Sequence, residues 1–403
     1  MSPSSRPAKK AKVDGTEQKP TLKSSANECI YIKCCRSQKD FYSDSEALWY
    51  KPKFVNQIFE NEEIHGYEDL KVTIYFASNS VMYFLRIVFS RKERGATDID
   101  AALAPHIGMA LCKTEEEFLK VCEKQFVPTI RDPVCSYSEF RIYKMHLDSA
   151  KELTEDGTTI KDYHRRIQFH ALVNIDGASY IDEADPKWEI YIIFEAAKGL
   201  PNYHFIGYAT MYPFLGLKNS SLKEGFLERI RISQVLVLPQ YQSKGHGSKL
   251  LDTLYKECLC RKCLEITVED PSESFRVLRD SQDLQNCIEQ KILREVPPPG
   301  QPAQKSEIEV VQDKTRITAN QVVRCYEMNM LRNIEADDEL NKRKLRLMVK
   351  RRLYVQMADV LGTFAPEAKK IKLAELYDDL EQEYLTVLRV LNKRGIPCAY
   401  LGA

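Results

Sequence analysis

A chain of 403 residues with 43% hydrophobic residues and a formal net charge of +1 has the length for two or three domains and the composition of a soluble globular protein. The balanced charge excludes bulk nucleic-acid binding as its main role, and no run reaches the roughly 18 apolar residues of a membrane span. Twelve cysteines at irregular spacing, with no apolar leader ahead of them, point to reduced thiols in the cytosol or nucleus.

Met1–Ala26 is polar and rich in Ser, Lys and Pro, so it is expected to be disordered. Its basic residues Lys9, Lys10 and Lys12 read equally as a short nuclear import signal or as a solubilising tail. Residues 27–147 alternate strand-like runs with loops, most clearly Leu70–Ala77 and Val81–Phe89 around Ser78-Asn79-Ser80, a hairpin signal. We read them as a mixed amino-terminal domain, with the acidic stretch Glu60-Asn61-Glu62-Glu63 exposed ahead of the hairpin. Residues 148–295 form the expected core. Glu155-Asp156-Gly157 makes a polar turn, and a helix-like stretch starts at Ile160. Trp188–Glu195, Tyr203–Tyr212 and Arg229–Leu238 then make an antiparallel meander, with a polar loop over Asn219–Gly225.

The run Arg231–Leu238 is β-branched and apolar over too many residues for a half-exposed strand, so it belongs inside a sheet. It breaks at Pro239. Gln242-Ser243-Lys244-Gly245-His246-Gly247 follows and leads into Ser248–Cys263, where Leu250, Leu251, Leu254, Tyr255 and Cys258 recur at helical spacing. Glycines at a helix start let backbone amides approach an anion such as phosphate, although two glycines alone also make an ordinary tight connection. Leu264–Val268 is a second strand, expected parallel to the first through the helical crossover. It ends in Glu269-Asp270-Pro271-Ser272-Glu273 before another helix marked by Phe275, Val277 and Leu278. By itself Glu269 reads as a surface carboxylate at a strand end. Asp270 reads as a helix cap, with Pro271 at the first helical position and Glu273 at the third.

Pro297–Pro302 ends regular structure, so residues 296–315 are expected to be a linker. Residues 316–403 read as a helical carboxy-terminal domain, with Leu373, Leu376, Leu380 and Leu388 at heptad-like positions. The basic run Lys342-Arg343-Lys344, Arg346 and Lys350-Arg351-Arg352 lies beside acidic Glu335, Asp337, Asp338 and Glu339, and is read as a solvated helix face rather than a DNA contact. Cys258-x-Cys260-x-x-Cys263 has no partner cluster, so no metal site is expected.

Gln242-x-x-Gly245-x-Gly247 after an apolar strand is similar to the acetyl-coenzyme A motif of the GNAT acyltransferases, and it lacks the G-K-[ST] ending of a P-loop. Ser233–Leu238, Gly245-His246-Gly247 and Ile266–Ser272, together with Phe140–Lys144, Ala178–Asp182 and Gly207–Tyr212, resemble the catalytic subunits of type B histone acetyltransferases over most of Asn27–Arg294. The resemblance implies an α+β protein, a GNAT-like mixed sheet core with a mixed amino-terminal and a helical carboxy-terminal domain. It implies acetyl-coenzyme A as co-substrate and no metal. Glu269 takes the place of the general base, where burial would raise its pKa; Asp176 stands where relatives carry a glutamate that helps deprotonation, and Asp270 is a further candidate carboxylate read first as a cap. Main-chain groups of Val235, Leu236 and Val237 would pair with the pantetheine arm. Gln242, Ser243, Lys244, Gly245, His246, Gly247 and Ser248 would hold the pyrophosphate, with charge from Lys244 and Lys249, and Phe275 would lie near the far end. Glu60, Asn61 and Glu62 on one side and Tyr212, Pro213 and Phe214 on the other would wall a groove for a basic peptide.

The implied substrate is the tail of newly made histone H4, the implied partner a WD-repeat histone chaperone, and the implied location nuclear and cytoplasmic, with no sequence-specific nucleic-acid or membrane binding. A non-catalytic histone-binding adaptor and an enzyme for protein amino termini or small amines are the alternatives. A cysteine acyl-carrier route is the runner-up mechanism. Cys258, Cys260 and Cys263 lie at the wrong end of their helix for it, so direct attack in a ternary complex is expected.

Overall fold

The computed structural model describes residues 21–130, 132–147, 152–155, 157–196, 202–217 and 226–401. The basic run around Lys9 and the polar loop Asn219–Gly225 lie outside them, as does Asp156 of the expected turn. The chain divides into two compact units, one running to Lys124 and including Leu172–Asn174, the other taking Gln125–Ala171 and everything from Ile175 onward.

In the first unit, Lys71–Ala77 and Tyr83–Val88 form the expected antiparallel hairpin, and Ile30–Cys35 adds in parallel on the other side. The tail is not disordered throughout. Lys23–Ser25 pairs antiparallel with Glu63–His65, and Thr21 and Leu22 donate main-chain hydrogen bonds to Glu93. Glu93 lies some seventy residues away and Glu63–His65 about forty, which is why local composition did not reveal them.

The second unit is built on a six-stranded sheet. Its strands are β1 (Cys135–Tyr137), β2 (Phe140–His146), β3 (Glu189–Ala196), β4 (Tyr203–Leu217), β5 (Phe226–Val237) and β6 (Ile266–Val268), and their spatial order runs from β6 through to β1 in reverse sequence. The meander β3–β4–β5 is antiparallel as expected, and β6 joins β5 in parallel through the helix α2 (His246–Arg261). β1 and β2, which sequence reading assigned to the amino-terminal domain, belong to this sheet instead, because Phe140–His146 aligns along the whole of β3. The helix α1 (Ile160–Leu172) precedes β3 in sequence.

The carboxy-terminal helices are part of the same unit. α3 (Glu273–Glu289) is followed by α4 (Lys305–Thr315), α5 (Ala319–Arg332), α6 (Glu339–Gln356) and α7 (Pro366–Lys393). α4 occupies part of the expected linker, started by a capping box between Gln304 and Glu307. One apolar cluster joins Ile230 and Ile232 of β5, Leu250 and Leu254 of α2, Leu284 of α3, Val322 and Met328 of α5, and Leu385 and Leu388 of α7. Of the heptad-like leucines of α7, Leu380 and Leu388 are therefore core positions of one hydrophobic interior, while Leu373 and Leu376 are half-buried outside it; an amphipathic helix of this kind is stable only when its apolar stripe is covered. The basic run of α6 is also not wholly solvated. Arg352 turns inward and grips buried Glu327 through two bonds of 2.7 Å, while Arg343 and Arg351 stay exposed.

Candidate active site

The site begins where β5 loses its neighbour. Parallel pairing with β6 ends at Ile232↔Val268, and the Glu269 amide adds a last bond of 2.9 Å to the Ile232 carbonyl. The register against β4 shifts between Thr210↔Gln234 and Met211↔Ile232, leaving Ser233 as an extra residue. Such a bulge bends a strand and re-aims its side chains. Beyond it, the edge of β5 that faced β6 has no strand beside it among the described residues. Leu238 donates to Ile206 at 2.9 Å, so the alternation of an antiparallel pair turns the main-chain groups of Leu236 toward Tyr208 and those of Val235 and Val237 toward the open edge. Leu236 is thus removed from the expected trio. The Val237 carbonyl also already accepts from Gln242 Nε2 at 2.8 Å.

The glycine turn opens α2 at His246, two residues before the expected start at Ser248. Gly245 is the residue before the helix, at φ +87°, a conformation natural to glycine, and a Cβ built on it would meet nothing within 4 Å. Gly247 has a different reason to be glycine: a Cβ there would come within 3.1 Å of Leu278 Cδ2 on α3. Gly245→Ala is therefore the cleaner probe of ligand approach. It is expected to cost about 1–2 kcal/mol of stability for the left-handed backbone and to weaken acetyl-coenzyme A several-fold by calorimetry. Unchanged affinity would remove the turn from the site.

His246 does not present its ring to a ligand at this turn. Its side chain is 4% exposed, lies 4.3 Å edge-on to the Phe140 ring and shares a 3.0 Å hydrogen bond between Nδ1 and the Tyr137 hydroxyl. Burial, then the nearby Lys244 charge, hold its pKa below the usual histidine value. Only its backbone can serve an anion. Lys244 donates to the Gln240 carbonyl at 2.9 Å, Lys249 sits 6.0 Å from the Tyr137 ring, Ser243 is exposed in the turn, and Phe275 is half-buried in the first turn of α3.

Glu269 is not buried: its side chain is 39% exposed. It is held by two residues of β5. Arg231 Nη1 lies 3.3 Å from Oε1, and the Ser233 hydroxyl donates to Oε2. Asp270 sits beside it at φ +34° and is exposed, but it does not cap α3. That role falls to Ser272, whose hydroxyl accepts from the Phe275 amide at 3.3 Å, with Glu273 as the first helical residue. The cap lies two residues later than the Asp-Pro reading put it, because the chain leaves β6 through a left-handed residue.

Arg231 is the cross-strand partner of Tyr212, and its guanidinium lies 5.8 Å from that ring. The Tyr212 hydroxyl donates to Asp185 at 2.7 Å; the Lys187 amide first, and then this hydroxyl, hold the Asp185 pKa below the usual carboxylate value. Trp188 packs against the ring at 4.9 Å. The structure thus brings Tyr212, Arg231 and Glu269 together. Phe214 shares the face of Tyr212, and Pro213 takes the opposite one, since strand side chains alternate. Asp176 is exposed in the turn after α1; three residues on, the Ser179 carbonyl accepts from buried Gln234 Nε2 at 2.6 Å. In the first unit, Glu60-Asn61-Glu62 makes a short 3₁₀ turn with Asn61 and Glu62 left-handed, and Glu62 accepts from Asn27 at 2.8 Å. Sequence reading missed Arg231, Ser233, Gln234 and Asp185. A cross-strand pairing of Arg231 with Tyr212 was the one signal available, and it requires the register.

Residues 22–176 match the family model described as Histone acetyl transferase HAT1 N-terminus, and residues 162–275 match the Acetyltransferase (GNAT) family. The chain is 30% identical over 374 residues to the histone acetyltransferase type B catalytic subunit of Eremothecium gossypii, covering 88% of this chain and 90% of that one. It belongs to that family. A Candida glabrata protein of the same name is 31% identical, with 86% and 89% covered, and one from Cryptococcus neoformans is 29% identical, with 91% and 97% covered. As a member of the type B catalytic-subunit family with a GNAT domain, the chain is an acyltransferase of α+β fold, and GNAT acetyltransferases use acetyl-coenzyme A. No group of side chains among the described residues could hold a metal ion, and no described helix is long and apolar enough to cross a membrane.

Proposed function

We propose that this chain transfers acetyl from acetyl-coenzyme A to lysines in the amino-terminal tail of newly made histone H4, by direct attack with Glu269 as general base. The observation that carries the reading is the half-exposed Glu269 carboxylate at the end of β6, beside the free edge of β5 and on the face of Tyr212 and Arg231. A lysine with pKa about 10.4 arrives as ammonium and must lose a proton before it can attack. Glu269 accepts that proton, directly or through water. The amine lone pair then forms the new bond to the thioester carbonyl carbon, and the coenzyme A thiolate leaves. Val235 and Val237 offer main-chain groups to the pantetheine arm, and the amides of Gln242–Ser248 face the pyrophosphate as donors at a helix start. Asp270, the next residue in the chain, and Asp176 are the further carboxylates proposed to share the proton load.

In the second unit the aromatic Tyr212 and Phe214 suit the stem of a substrate lysine; in the first unit, taken by itself, the acidic turn Glu60-Asn61-Glu62 has the charge to attract a basic peptide. A cysteine relay is disfavoured. Cys258 and Cys263 are buried at the far end of α2, and the Cys263 contact together with burial pushes the Cys258 thiol up. Kinship with the family supports a WD-repeat histone chaperone as partner and action in nucleus and cytoplasm. Incubation with labelled acetyl-coenzyme A and separated core histones is expected to place label on tail lysines of H4. Label confined to protein amino termini would replace this reading with the amino-terminal alternative, and no transfer at all would leave the adaptor.

A further inference from the structure

The residue that caps the longest described helix reaches the first turn of α2. α7 stops at Lys393 with Arg394 as its cap because Gly395, at φ +84°, turns the chain left-handed, and the Ile396 amide closes back on the Leu391 carbonyl at 3.0 Å. Leu385, Leu388 and Leu391 anchor this end of the helix in the core cluster. Arg394 then extends one guanidinium nitrogen to Ser248 Oγ at 3.1 Å and the other to Gln285 Oε1 at 2.9 Å. Ser248 is the third residue of α2, within the glycine turn's amide cluster.

Both partners are neutral. No carboxylate among the described residues lies within ion-pair distance of Arg394, and partial burial is what holds its pKa below the usual arginine value. The charge is favourable at the carboxyl end of its own helix, but its tip stands at the amino end of another, where the backbone dipole is already positive and unpaired amides point outward. Lys244 and Lys249 flank the same turn. Among the described residues none of these three cations makes an ion pair, and the carboxylates that act on the turn, Glu139 and Glu195, do so from the His246 side. Positive groups gathered in this way fit an anion bearing several negative charges, and a fork of two N–H donors suits phosphate.

We propose that Arg394 is a phosphate-binding residue for acetyl-coenzyme A, delivered to the amino-terminal turn of α2 by the carboxy-terminal helices. The inference rests on reading that turn as the acetyl-coenzyme A site, and it gives the helical region a part in co-substrate recognition beyond support of the core. The pyrophosphate and the 3′-phosphate offer the same chemistry, so the test must separate them.

The full chain carrying Arg394→Gln should bind acetyl-coenzyme A about tenfold or more weaker by calorimetry, the worth of one charge-assisted hydrogen bond, with a shallower salt dependence and an unchanged melting temperature. In kinetics, KM for acetyl-coenzyme A should rise while kcat and the peptide KM stay put. Arg394→Lys should recover part of the affinity, which a purely structural tie to Gln285 would not. If the loss vanishes when 3′-dephospho-coenzyme A is the ligand, Arg394 holds the 3′-phosphate; if it persists, Arg394 holds the pyrophosphate. An affinity for acetyl-coenzyme A equal to the parent's in Arg394→Gln overturns the inference. Should Gly245→Ala also leave affinity unchanged, the co-substrate reading of the turn fails with it; if Gly245→Ala weakens binding and Arg394→Gln does not, this inference fails alone.

Discussion

Replacing Glu269 by glutamine is expected to lower turnover on a lysine peptide by about two to four orders of magnitude, the usual worth of a positioned acid–base group, while the fold stays intact. The amide keeps the shape and can still accept from the Ser233 hydroxyl. What is lost is the ability to take the lysine proton, together with an ion pair to Arg231 in which both partners are about 40% exposed. Exposed pairs of this kind contribute about 0–1 kcal/mol, so melting temperature and acetyl-coenzyme A affinity should barely move. The residual rate should climb with pH toward the substrate lysine's own pKa of about 10.4, because free amine then no longer has to be generated on the enzyme. Normal turnover near neutral pH would dismiss Glu269 and turn attention to Asp176 or Asp270.

A second large effect is expected at Asp280, far from any chemistry. Its carboxylate is 2% exposed on α3 and accepts from Gln321 Nε2 at 2.7 Å and from Arg324 Nη2 at 2.5 Å, both on α5. Arg324 also reaches Glu383 on α7 at 3.0 Å. Asp280→Ala strips a largely buried guanidinium, 21% exposed, of its nearest counter-charge and leaves it Glu383 alone, so the cost in urea unfolding should lie toward the lower end of about 3–5 kcal/mol. An apolar pair at 280 and 324 should cost less than the sum of the single changes, since most of the penalty lies in leaving one charge unpaired. A cost below about 1 kcal/mol for Asp280→Ala would mean that the helices are not clasped here. Because α3 also carries Leu278 against Gly247, loosening this clasp should reach the glycine turn as well.

Much of the core was legible because its signals are local. An apolar run, a proline break, glycines and a helical repeat lie within thirty residues, so β5, α2 and β6 follow from period and turn chemistry alone, and the parallel crossover follows from their order. The hairpin of the first unit follows in the same way. The boundaries failed where stability comes from distant partners. β1 and β2 pair along β3, Lys23–Ser25 finds Glu63–His65, and the carboxy-terminal helices share an interior with the sheet.

The site divides along the same line. Sequence by itself determined which residues stand at the two strand ends, and so named Glu269, Gly245 and Gly247, since motif spacing is a property of the chain. Only the tertiary structure decided what surrounds each of them there. A single extra residue at Ser233 sets the register that puts a hydroxyl and Arg231 on Glu269, and ladder alternation chooses Val235 and Val237 over Leu236. Packing takes the His246 ring out of reach, a left-handed Asp270 moves the cap to Ser272, and a helix that ends 146 residues further along brings Arg394 to Ser248. Register, burial and long-range contact depend on how distant segments share one core, and no local pattern of residue types encodes that.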